Sequence, residues 1–565
     1  MEIRRRTTTP NRTALAGAPD DRIVRDLQAA REEYRLVQYV PGLPSCAATL
    51  PKREKFSWCE WIRSRLLIAL LVIGLFIDRF FTPTWNQLAD LVNVYGWIFP
   101  KPSTMDIWSD DAFFGRQRLV GVNPFVIKRC IAIPNNMLLN INERRAPLER
   151  VLQQKSDDEN YTLDTAIEDN RLFIVNYDIL NGMFDQFGVC APIALFLVDS
   201  NDELMPVAIQ LQQEEGENNP MFLPGDRSWL MAKLWFNHAD SSFQESFSHL
   251  GVTHLLMESV AVVTHRNLIQ THPIFQVLAP HFHYLLAINT EAREYLISNN
   301  GLVDQTLSIG RNGMMEIIRR RLADWRMDTG GILPADLENR GVTGDGILPN
   351  YYYRDDALLV YGAINDYVTA YVGLHYNDDG NNGLPQVIDD PQIQAWVSAI
   401  ISERQIEGGG CGIKGLPLNN NRQIATNEQL IQILTCIIYM CSVSHAVTNF
   451  PQYEQYGFQP AYPIGMRGMP PQDPNAALNS GDIIRAIPSK FTCLLEMALK
   501  KFLSTRNTNL LGHFDNFTFP GDRPVQNQFQ DNLRIVAEEI NRRNTQRAHP
   551  YPWASPEKIP NSISI

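Results

Sequence analysis

The 565-residue chain has few cysteines, and none of the eight forms a CxxC pair. So few cysteines in so long a chain do not make a disulfide framework, and we therefore expect a reducing, intracellular compartment. Basic residues are also in the minority, since 50 Lys and Arg stand against 62 Asp and Glu for a net charge of −12. That balance lacks the basic footprint of a nucleic-acid-binding protein, so we expect no nucleic acid among the partners.

Two common catalytic motifs are missing. The sequence has no GxSxG segment, in which a serine nucleophile is exposed on a tight turn, and no glycine-rich loop that could surround a phosphate. These absences leave serine hydrolases and phosphate-loop enzymes without support. No internal repeat of the solenoid type is present either.

No apolar run is long enough to be an unambiguous membrane span. The longest, LLIALLVIGLFI, extends from Leu66 to Ile77 between Arg65 and Asp78. Its twelve residues would form a helix of about 18 Å, whereas the hydrocarbon core of a bilayer is about 30 Å thick. The run also begins too late for an ordinary signal peptide. Three interpretations stay open: a helix buried on the main domain, an interfacial membrane anchor, or a true span.

We divide the chain at about residue 85. Residues 1–85 are polar and basic at the start, so we expect an N-terminal extension that is partly disordered and has an apolar helix at about 60–82. Residues 86–565 have the pattern of one large, mainly α domain, with long helical segments between loops rich in Gly, Asn and Pro. Short β-like runs at 172–177 and 193–198 predict a small strand-containing subregion.

Histidine is scarce, but its distribution is uneven. Six of the eleven histidines lie between positions 249 and 283, and His249 and His254 are five residues apart. On a regular helix, at ~100° per residue, two rings at that spacing point roughly 140° apart. A π-bulge absorbs one residue and returns them to one face. The pair could therefore bind one metal only on a locally widened helix; otherwise both are ordinary helix histidines.

A second pair of metal-ligand type is formed by His445 and Asn449. Their spacing of four residues places both on one face of a regular helix without distortion. Neutral imidazole and amide groups suit a first-row metal such as iron. Because such pairs often arise by chance on helices, this pair alone is also consistent with ordinary packing.

The residues around both pairs resemble the iron-binding helices of lipoxygenases. The similarity covers residues 229–289, including HLGVTHLLMES, the later IIYMCSVSHAVTNFPQY, and the final IPNSISI. Further segments, among them FFGRQRLVGVNPFVIKRC and YYYRDDALLVYGAI, follow the family's order over nearly all of 106–565. The resemblance implies the family's helical catalytic domain, with a π-bulge in a long central helix. It does not extend to the family's usual N-terminal β-sandwich lipid-binding domain, which is not evident in this sequence.

Carried over residue by residue, the resemblance implies one non-haem iron ion held by five groups. The implied ligands are the side chains of His249, His254, His445 and Asn449 and the terminal carboxylate of Ile565. Three neutral imidazoles, one amide and a single carboxylate contribute little negative charge, so they stabilise Fe(III) weakly and favour an oxidising centre. This set differs from the 2-His-1-carboxylate set of other iron oxygenases.

Three nearby positions complete the comparison with the family pattern. Gln452 matches the glutamine of the family's NFGQ stretch, and such outer groups orient metal ligands. Gln244 stands where many members have a further, non-ligand histidine, and Pro451 replaces the glycine of NFGQ. Neither departure removes an implied ligand.

The resemblance implies iron-dependent dioxygenation of a polyunsaturated fatty acid. A ferric hydroxide would abstract a bis-allylic hydrogen, and O2 would add to the resulting radical. Ala292 matches a position at which alanine accompanies S products, so (S)-hydroperoxides are expected. Leu296 matches a leucine near the reacting pentadiene, and Ser241, Thr306 and Leu307 match positions that set the depth of the pocket. Each of these residues alone is also consistent with ordinary core packing.

Two other functions stay open. The same fold could isomerise hydroperoxides, or the chain could be a catalytically silent lipid-binding protein, as the replaced Gln244 would allow. The expected partners are a polyunsaturated fatty acid and O2, and a membrane surface is a possible further partner. The expected location is intracellular, either cytoplasmic or membrane-associated through residues 66–77.

Overall fold

The computed structural model describes residues 21–565 except 82–83, 97, 345, 380–382, 405–408, 507, 516, 518 and 520. Helix accounts for 56% of the structure and strand for 6%. The expected mainly α fold with a small β-containing subregion is therefore confirmed.

The α-helices of the described residues are short around the sheet and long in the centre. In chain order they are Asp21–Glu33, Trp58–Phe81, Asp111–Val120, Leu138–Glu143, Arg145–Ser156, Leu163–Glu168, Phe184–Phe187, Trp229–Phe243, Leu256–Asn267, Pro273–Leu278, Leu285–Glu291, Leu302–Thr306, Gly310–Asp324, Met327–Gly330, Leu333–Asn339, Tyr352–His375, Pro391–Ile401, Asn427–Tyr439, His445–Asn449, Gln452–Tyr456, Ser480–Ala486, Lys490–Leu503 and Asp522–Asn544. Three stretches are π-helical: Gln244–Leu255, Ala292–Leu296 and Met440–Ser444.

A five-stranded antiparallel sheet forms the β-containing subregion. Its strands, in spatial and chain order, are Lys128–Arg129, Leu172–Asn176, Ile193–Val198, Leu204–Gln210 and Met221–Phe222. Every side chain of the middle strand is buried, because helices cover both faces of the sheet. Such a strand has an unbroken apolar sequence, IALFLV, rather than an alternating one.

One continuous helix, 229–267, forms the centre of the molecule, and we call it the central helix. It is buried along almost its whole length. A second buried helix, 427–449, packs against its π-helical part, and we call it the partner helix. By length and composition Asn427–Tyr456 could cross a membrane, but 94% of its most apolar window is buried inside the protein. It therefore has the surroundings of a core helix.

The N-terminal segment packs on this core. Helix Asp21–Glu33 lies against Leu256–Asn267, and the ring of Tyr34 stacks on His265 with centroids 4.1 Å apart. A two-stranded hairpin, Leu36–Val37 with Cys46–Ala47, follows it. Residues 1–20 of the segment expected to be partly disordered lie outside the described residues, and the domain division at residue 85 stays a prediction.

Candidate metal centre

The central helix widens at the two histidines that are five residues apart. Gln244–Leu255 is π-helical, and the rings of His249 and His254 therefore face the same side, with centroids 5.0 Å apart. The π-bulge that the sequence predicted in the long central helix is therefore observed. A regular α-helix would have pointed one of the two rings away.

The partner helix supplies a third imidazole. A second π-helical stretch, Met440–Ser444, directly precedes His445, whose Nε2 lies 3.1 Å from Nε2 of His254. One ring nitrogen from each of the three histidines lies within 4.8 Å of the others. Within the described part of the chain, this is the only group of three His, Cys, Asp or Glu residues with such convergence.

Two further groups that the resemblance implied, Asn449 and Ile565, are buried. The Nδ2 of Asn449 donates to the carbonyl of Leu503 at 2.8 Å, and its Oδ1 is buried without a hydrogen-bond partner. Ile565 is 2% exposed, and its backbone lies close to the ring of His445. The structure thus brings the three implied imidazoles together. Asn449 lies one helical turn from His445 on the same helix, and the five ligand roles stay predictions.

The last residues of the chain are fastened by several hydrogen bonds. The backbone carbonyl of Asn561 accepts from Nδ1 of His281 at 2.8 Å. The side-chain Nδ2 of Asn561 donates to the backbone carbonyl of His513 at 2.8 Å. The hydroxyl of Ser562 donates to the carbonyl of His283 at 2.8 Å. These protein–protein hydrogen bonds hold the last residues of the chain in place, and the backbone of Ile565 lies close to His445 without the help of a bound ligand.

The donor set fits a transition-metal ion. Nε2 of His249 and Oδ1 of Asn449 are both buried without a hydrogen-bond partner. Each such atom costs about 1–3 kcal/mol unless something satisfies it. Burial lowers the pKa of His254 to about 3 and the pKa of His445 well below its usual range. Neutral imidazoles with free lone pairs are the form that binds a metal.

Asn289 determines which nitrogen of His254 carries the proton. Its Oδ1, an acceptor, lies 2.8 Å from Nδ1 of His254, while its Nδ2 donates to the carbonyl of His254 and to Glu258. Nδ1 must therefore be the protonated nitrogen, which leaves the lone pair of Nε2 directed at His445. Sequence reasoning missed Asn289, since nothing in the local pattern links it to a residue 35 positions away.

A buried ionic cluster lies behind His249. Glu245 Oε2 is 3.6 Å from Nδ1 of His249, and Glu245 Oε1 is 2.8 Å from Nζ of Lys500, which also lies 3.4 Å from Glu496. Burial raises the pKa of Glu245, but Lys500 and His249 lower it more, so that it falls to about 2. Gln452 places its amide nitrogen 3.0 Å from both Nδ1 of His249 and Glu245 Oε1. The cluster was also missed, because Lys500 belongs to a distant helix.

Comparison with known proteins identifies the family. The model of the Lipoxygenase family matches residues 91–551. The chain belongs to the lipoxygenase family. Polyunsaturated fatty acid lipoxygenase ALOX15B of Homo sapiens is 31% identical over 96% of this chain and 79% of its own length. The allene oxide synthase-lipoxygenase protein of Plexaura homomalla is 31% identical over 87% of this chain, which spans 48% of that longer protein.

The chain is also similar to a relative that is named for a different activity. Hydroperoxide isomerase ALOXE3 of Homo sapiens is 33% identical over 85% of this chain and 66% of its own length. Among solved structures, a coral 8R-lipoxygenase has a TM-score of 0.85 at 30% identity, over 97% of this chain and 82% of that one. A lipoxygenase variant crystallised anaerobically with arachidonate has the same TM-score, identity and coverage.

The two departures from the lipoxygenase pattern are accommodated in this structure. Gln244 joins the two helices of the centre: its Nε2 donates to the hydroxyl of Thr448 at 2.7 Å, and its Oε1 accepts from Tyr456 at 2.6 Å. Pro451 has φ −77° and precedes the short helix Gln452–Tyr456, where its missing N–H is not needed. Neither change displaces Asn449 from the centre.

Four of the five expected pocket positions are buried, and the fifth, Leu296, is partly buried. Ala292 is buried at the start of the π-helical stretch Ala292–Leu296, one turn after Asn289. Thr306 and Leu307 are buried, and the hydroxyl of Ser241 donates to the carbonyl of Pro463 at 2.7 Å. A cavity of about 360 Å³ opens beside Ser248, Val252 and Ser444, but none of these five positions lines it. The pocket roles therefore stay predictions.

Proposed function

We propose that this lipoxygenase uses one iron ion to dioxygenate polyunsaturated fatty acids to (S)-hydroperoxides. The observation that carries the proposal is the convergence of three buried imidazoles from two helices, with Asn449 on the same helix as His445 and the chain end close to the His445 ring. The proposed ligands are the side chains of His249, His254, His445 and Asn449 and the carboxylate of Ile565. Bound iron would supply the one-electron oxidation that removes a bis-allylic hydrogen.

The protein's own groups prepare the centre for that chemistry. Burial keeps the imidazoles of His254 and His445 neutral, and Asn289 holds the proton of His254 on Nδ1. Glu245 and Gln452 face Nδ1 of His249 and favour binding through its Nε2. Only one of the five donor groups, the carboxylate of Ile565, is anionic. An ion held by so few anions is a stronger oxidant than one held by several carboxylates.

The substrate class rests on the relatives and on the fold. ALOX15B is named a polyunsaturated fatty acid lipoxygenase, and a solved relative at 30% identity holds arachidonate. We propose that this chain takes the same class of substrate with O2 as the second substrate. The S configuration rests on Ala292, since the coral neighbour is an 8R-lipoxygenase and the fold alone does not distinguish the two outcomes.

A second candidate function is hydroperoxide isomerisation. The 33% identity to hydroperoxide isomerase ALOXE3 supports this alternative, because the similarity covers 85% of this chain. A silent lipid-binding protein is disfavoured by two buried, unpartnered donor atoms, Nε2 of His249 and Oδ1 of Asn449, which a bound metal ion would satisfy.

Two measurements on the purified full-length chain test the proposal. We expect about one iron per chain by elemental analysis, and O2 uptake with linoleate or arachidonate at the rate at which conjugated hydroperoxide forms. Consumption of added hydroperoxide without O2 uptake would establish the isomerase instead. Protein that is folded, iron-loaded and inert to both substrates would contradict both enzyme assignments.

A further inference from the structure

The helix Trp58–Phe81 exposes an unusual number of large apolar side chains. Twenty such side chains are exposed on the described residues, and nine belong to this one helix. We call these nine the apolar face: Trp58, Trp61, Ile62, Leu66, Leu70, Val72, Ile73, Phe76 and Ile77. Scattered exposed apolar side chains are normal on soluble proteins, but a contiguous row along one element marks an interaction surface.

The orientation of this helix is determined by packing on its opposite side. At ~100° per residue, the nine exposed residues occupy one half of the helix, while Leu67, Leu71, Gly74 and Leu75 occupy the other. The inner half lies against helix Lys490–Leu503. Gly74 is seated so closely that an added Cβ would lie 2.9 Å from Ile98. The apolar face thus points outward because the inner half is already fitted to the protein.

A helix that is apolar on both halves is not the usual surface helix. A surface helix of a soluble protein normally has polar residues on its outer half. Here the side chains of the outer half are up to 72% exposed at Trp58 and 66% at Leu66. With 24 residues the helix is about 36 Å long, so the face is a long ridge. Such a ridge is expected to be covered by another apolar surface.

The charge around the beginning of the helix is opposite to that of the whole protein. The chain has a net charge of −12, yet residues 52–65 contain five Lys and Arg against two Asp and Glu, a local balance of 5 − 2 = +3. Lys52, Arg53, Lys55 and Arg63 are exposed there. Trp58 and Trp61 stack at the same end with centroids 5.3 Å apart. Exposed cations and tryptophans beside an apolar ridge are the features of an interfacial membrane helix.

We propose that the apolar face docks this lipoxygenase on a lipid bilayer with anionic headgroups, with the helix lying parallel to the membrane plane. The cations near Trp58 contact the headgroups, and the apolar side chains enter the boundary between headgroups and acyl chains. A membrane span is incompatible with this arrangement, because the inner half of the helix stays packed on the protein. Of the three interpretations of the apolar run, the structure favours the interfacial anchor.

The helix Trp58–Phe81 contacts two elements that lie next to residues of the candidate metal centre. Its Arg65 pairs with Glu291 at 3.0 Å, next to Ala292. On its inner side, helix Lys490–Leu503 ends at Leu503, whose carbonyl accepts from Asn449. The helix that bears the apolar face thus contacts elements that hold residues of the candidate centre. The docking itself depends on the apolar face and the cations near Trp58, and it does not require that the centre be active.

Binding to vesicles tests the proposal on the full chain. Sucrose-loaded vesicles of phosphatidylcholine alone and of phosphatidylcholine with phosphatidylserine are sedimented with the wild type and with Leu66→Ser/Ile73→Ser/Phe76→Ser. We expect the wild type to bind the anionic vesicles more strongly, and the triple variant to lose more than about tenfold in partition coefficient. The matched control is Ile535→Ser, which replaces a side chain 57% exposed on helix Asp522–Asn544 and should bind as the wild type does.

A second variant tests the electrostatic part. Lys52→Glu/Lys55→Glu should weaken binding to anionic vesicles and reduce its salt dependence, with little effect on neutral vesicles. Binding by the triple variant equal to that of the wild type would overturn the proposal. So would a wild type that binds neither vesicle and forms a dimer that the triple variant dissociates, since a second copy would then cover the face.

Iron content and O2 uptake with detergent-dispersed linoleate are measured on the same samples. We expect both to be unchanged in the triple variant, because its three side chains contact solvent and not the centre. Vesicle binding without iron or activity would contradict the proposed function alone. Normal activity without vesicle binding would contradict the membrane proposal alone.

Discussion

Nε2 of His254 lies 3.1 Å from Nε2 of His445, although 191 positions separate the two residues in the chain. Both nitrogens are buried, and neither ring is expected to be protonated at neutral pH. Two neutral imidazoles directed at each other in this way gain more from a shared metal ion than from one weak N–H···N contact. This pair therefore provides the most direct test of the proposed centre.

Removing either member of that pair should remove the metal. We expect His254→Ala and His445→Ala each to abolish iron binding and O2 uptake, because four remaining donors leave the ion exposed to water and poorly held. The measurement is elemental analysis together with an oxygen electrode. His238→Gln is the matched control, since His238 is a buried histidine of the same central helix whose Nε2 contacts Ser308. Full iron content in either alanine variant would be incompatible with the ligand assignment.

Removing the orienting amide should weaken the metal without removing a ligand. In Asn289→Ala the Nδ1 proton of His254 loses its acceptor, so the ring can rotate or change tautomer. We expect iron affinity to fall roughly 10- to 100-fold in competition with a chelator. Asn267→Ala, which removes a buried asparagine of the central helix bonded only to the carbonyl of Val263, should leave the affinity unchanged. An Asn289→Ala protein with wild-type affinity would show that His254 is oriented by other contacts.

The buried lysine behind His249 should be required for stability. Lys500→Met leaves the carboxylates of Glu245 and Glu496 buried without a cation, which we expect to cost about 3–5 kcal/mol in unfolding free energy. The measurement is urea unfolding of the metal-free protein. Adding Glu245→Gln and Glu496→Gln should recover most of the loss.

The neighbouring Lys501 provides the control for this experiment. Its ammonium group lies over the ring of Tyr453 at 4.9 Å, so Lys501→Met should cost only about 1 kcal/mol. Equal losses for the two lysine variants would mean that the ionic cluster has no special role.

Substitution beside the centre should change the stereochemistry of the product. Ala292→Gly removes one methyl group from a buried position one turn after Asn289. In the proposed function this methyl group shields one face of the substrate radical, so its removal would open that face to O2. We expect the product to shift from mainly S to a mixture richer in R, as measured by chiral chromatography. Ala287→Gly, at a buried alanine of the preceding helical turns, is the control and should keep the S product. An unchanged product from Ala292→Gly would refute the stereochemical proposal.

Some features of this protein followed from local sequence. The five-residue spacing of His249 and His254 required a widened helix if the rings were to share a face, and Gln244–Leu255 is π-helical. The unbroken apolar run 193–198 indicated a strand, and Ile193–Val198 is fully buried in the sheet. Helical period, strand period and helix widening are properties of neighbouring residues, so the order of amino acids was sufficient to predict them.

Other features depended on contacts between distant segments. The meeting of His254 with His445, the acceptor role of Asn289 and the cluster of Glu245 with Lys500 each join residues from separate elements. The sequence also could not predict which side of the apolar helix faces outward. Leu66 to Ile77 is apolar in every direction, so its periodicity contains no contrast between an inner and an outer half. Only the packing of Leu71 and Gly74 on the protein decided which side chains face outward.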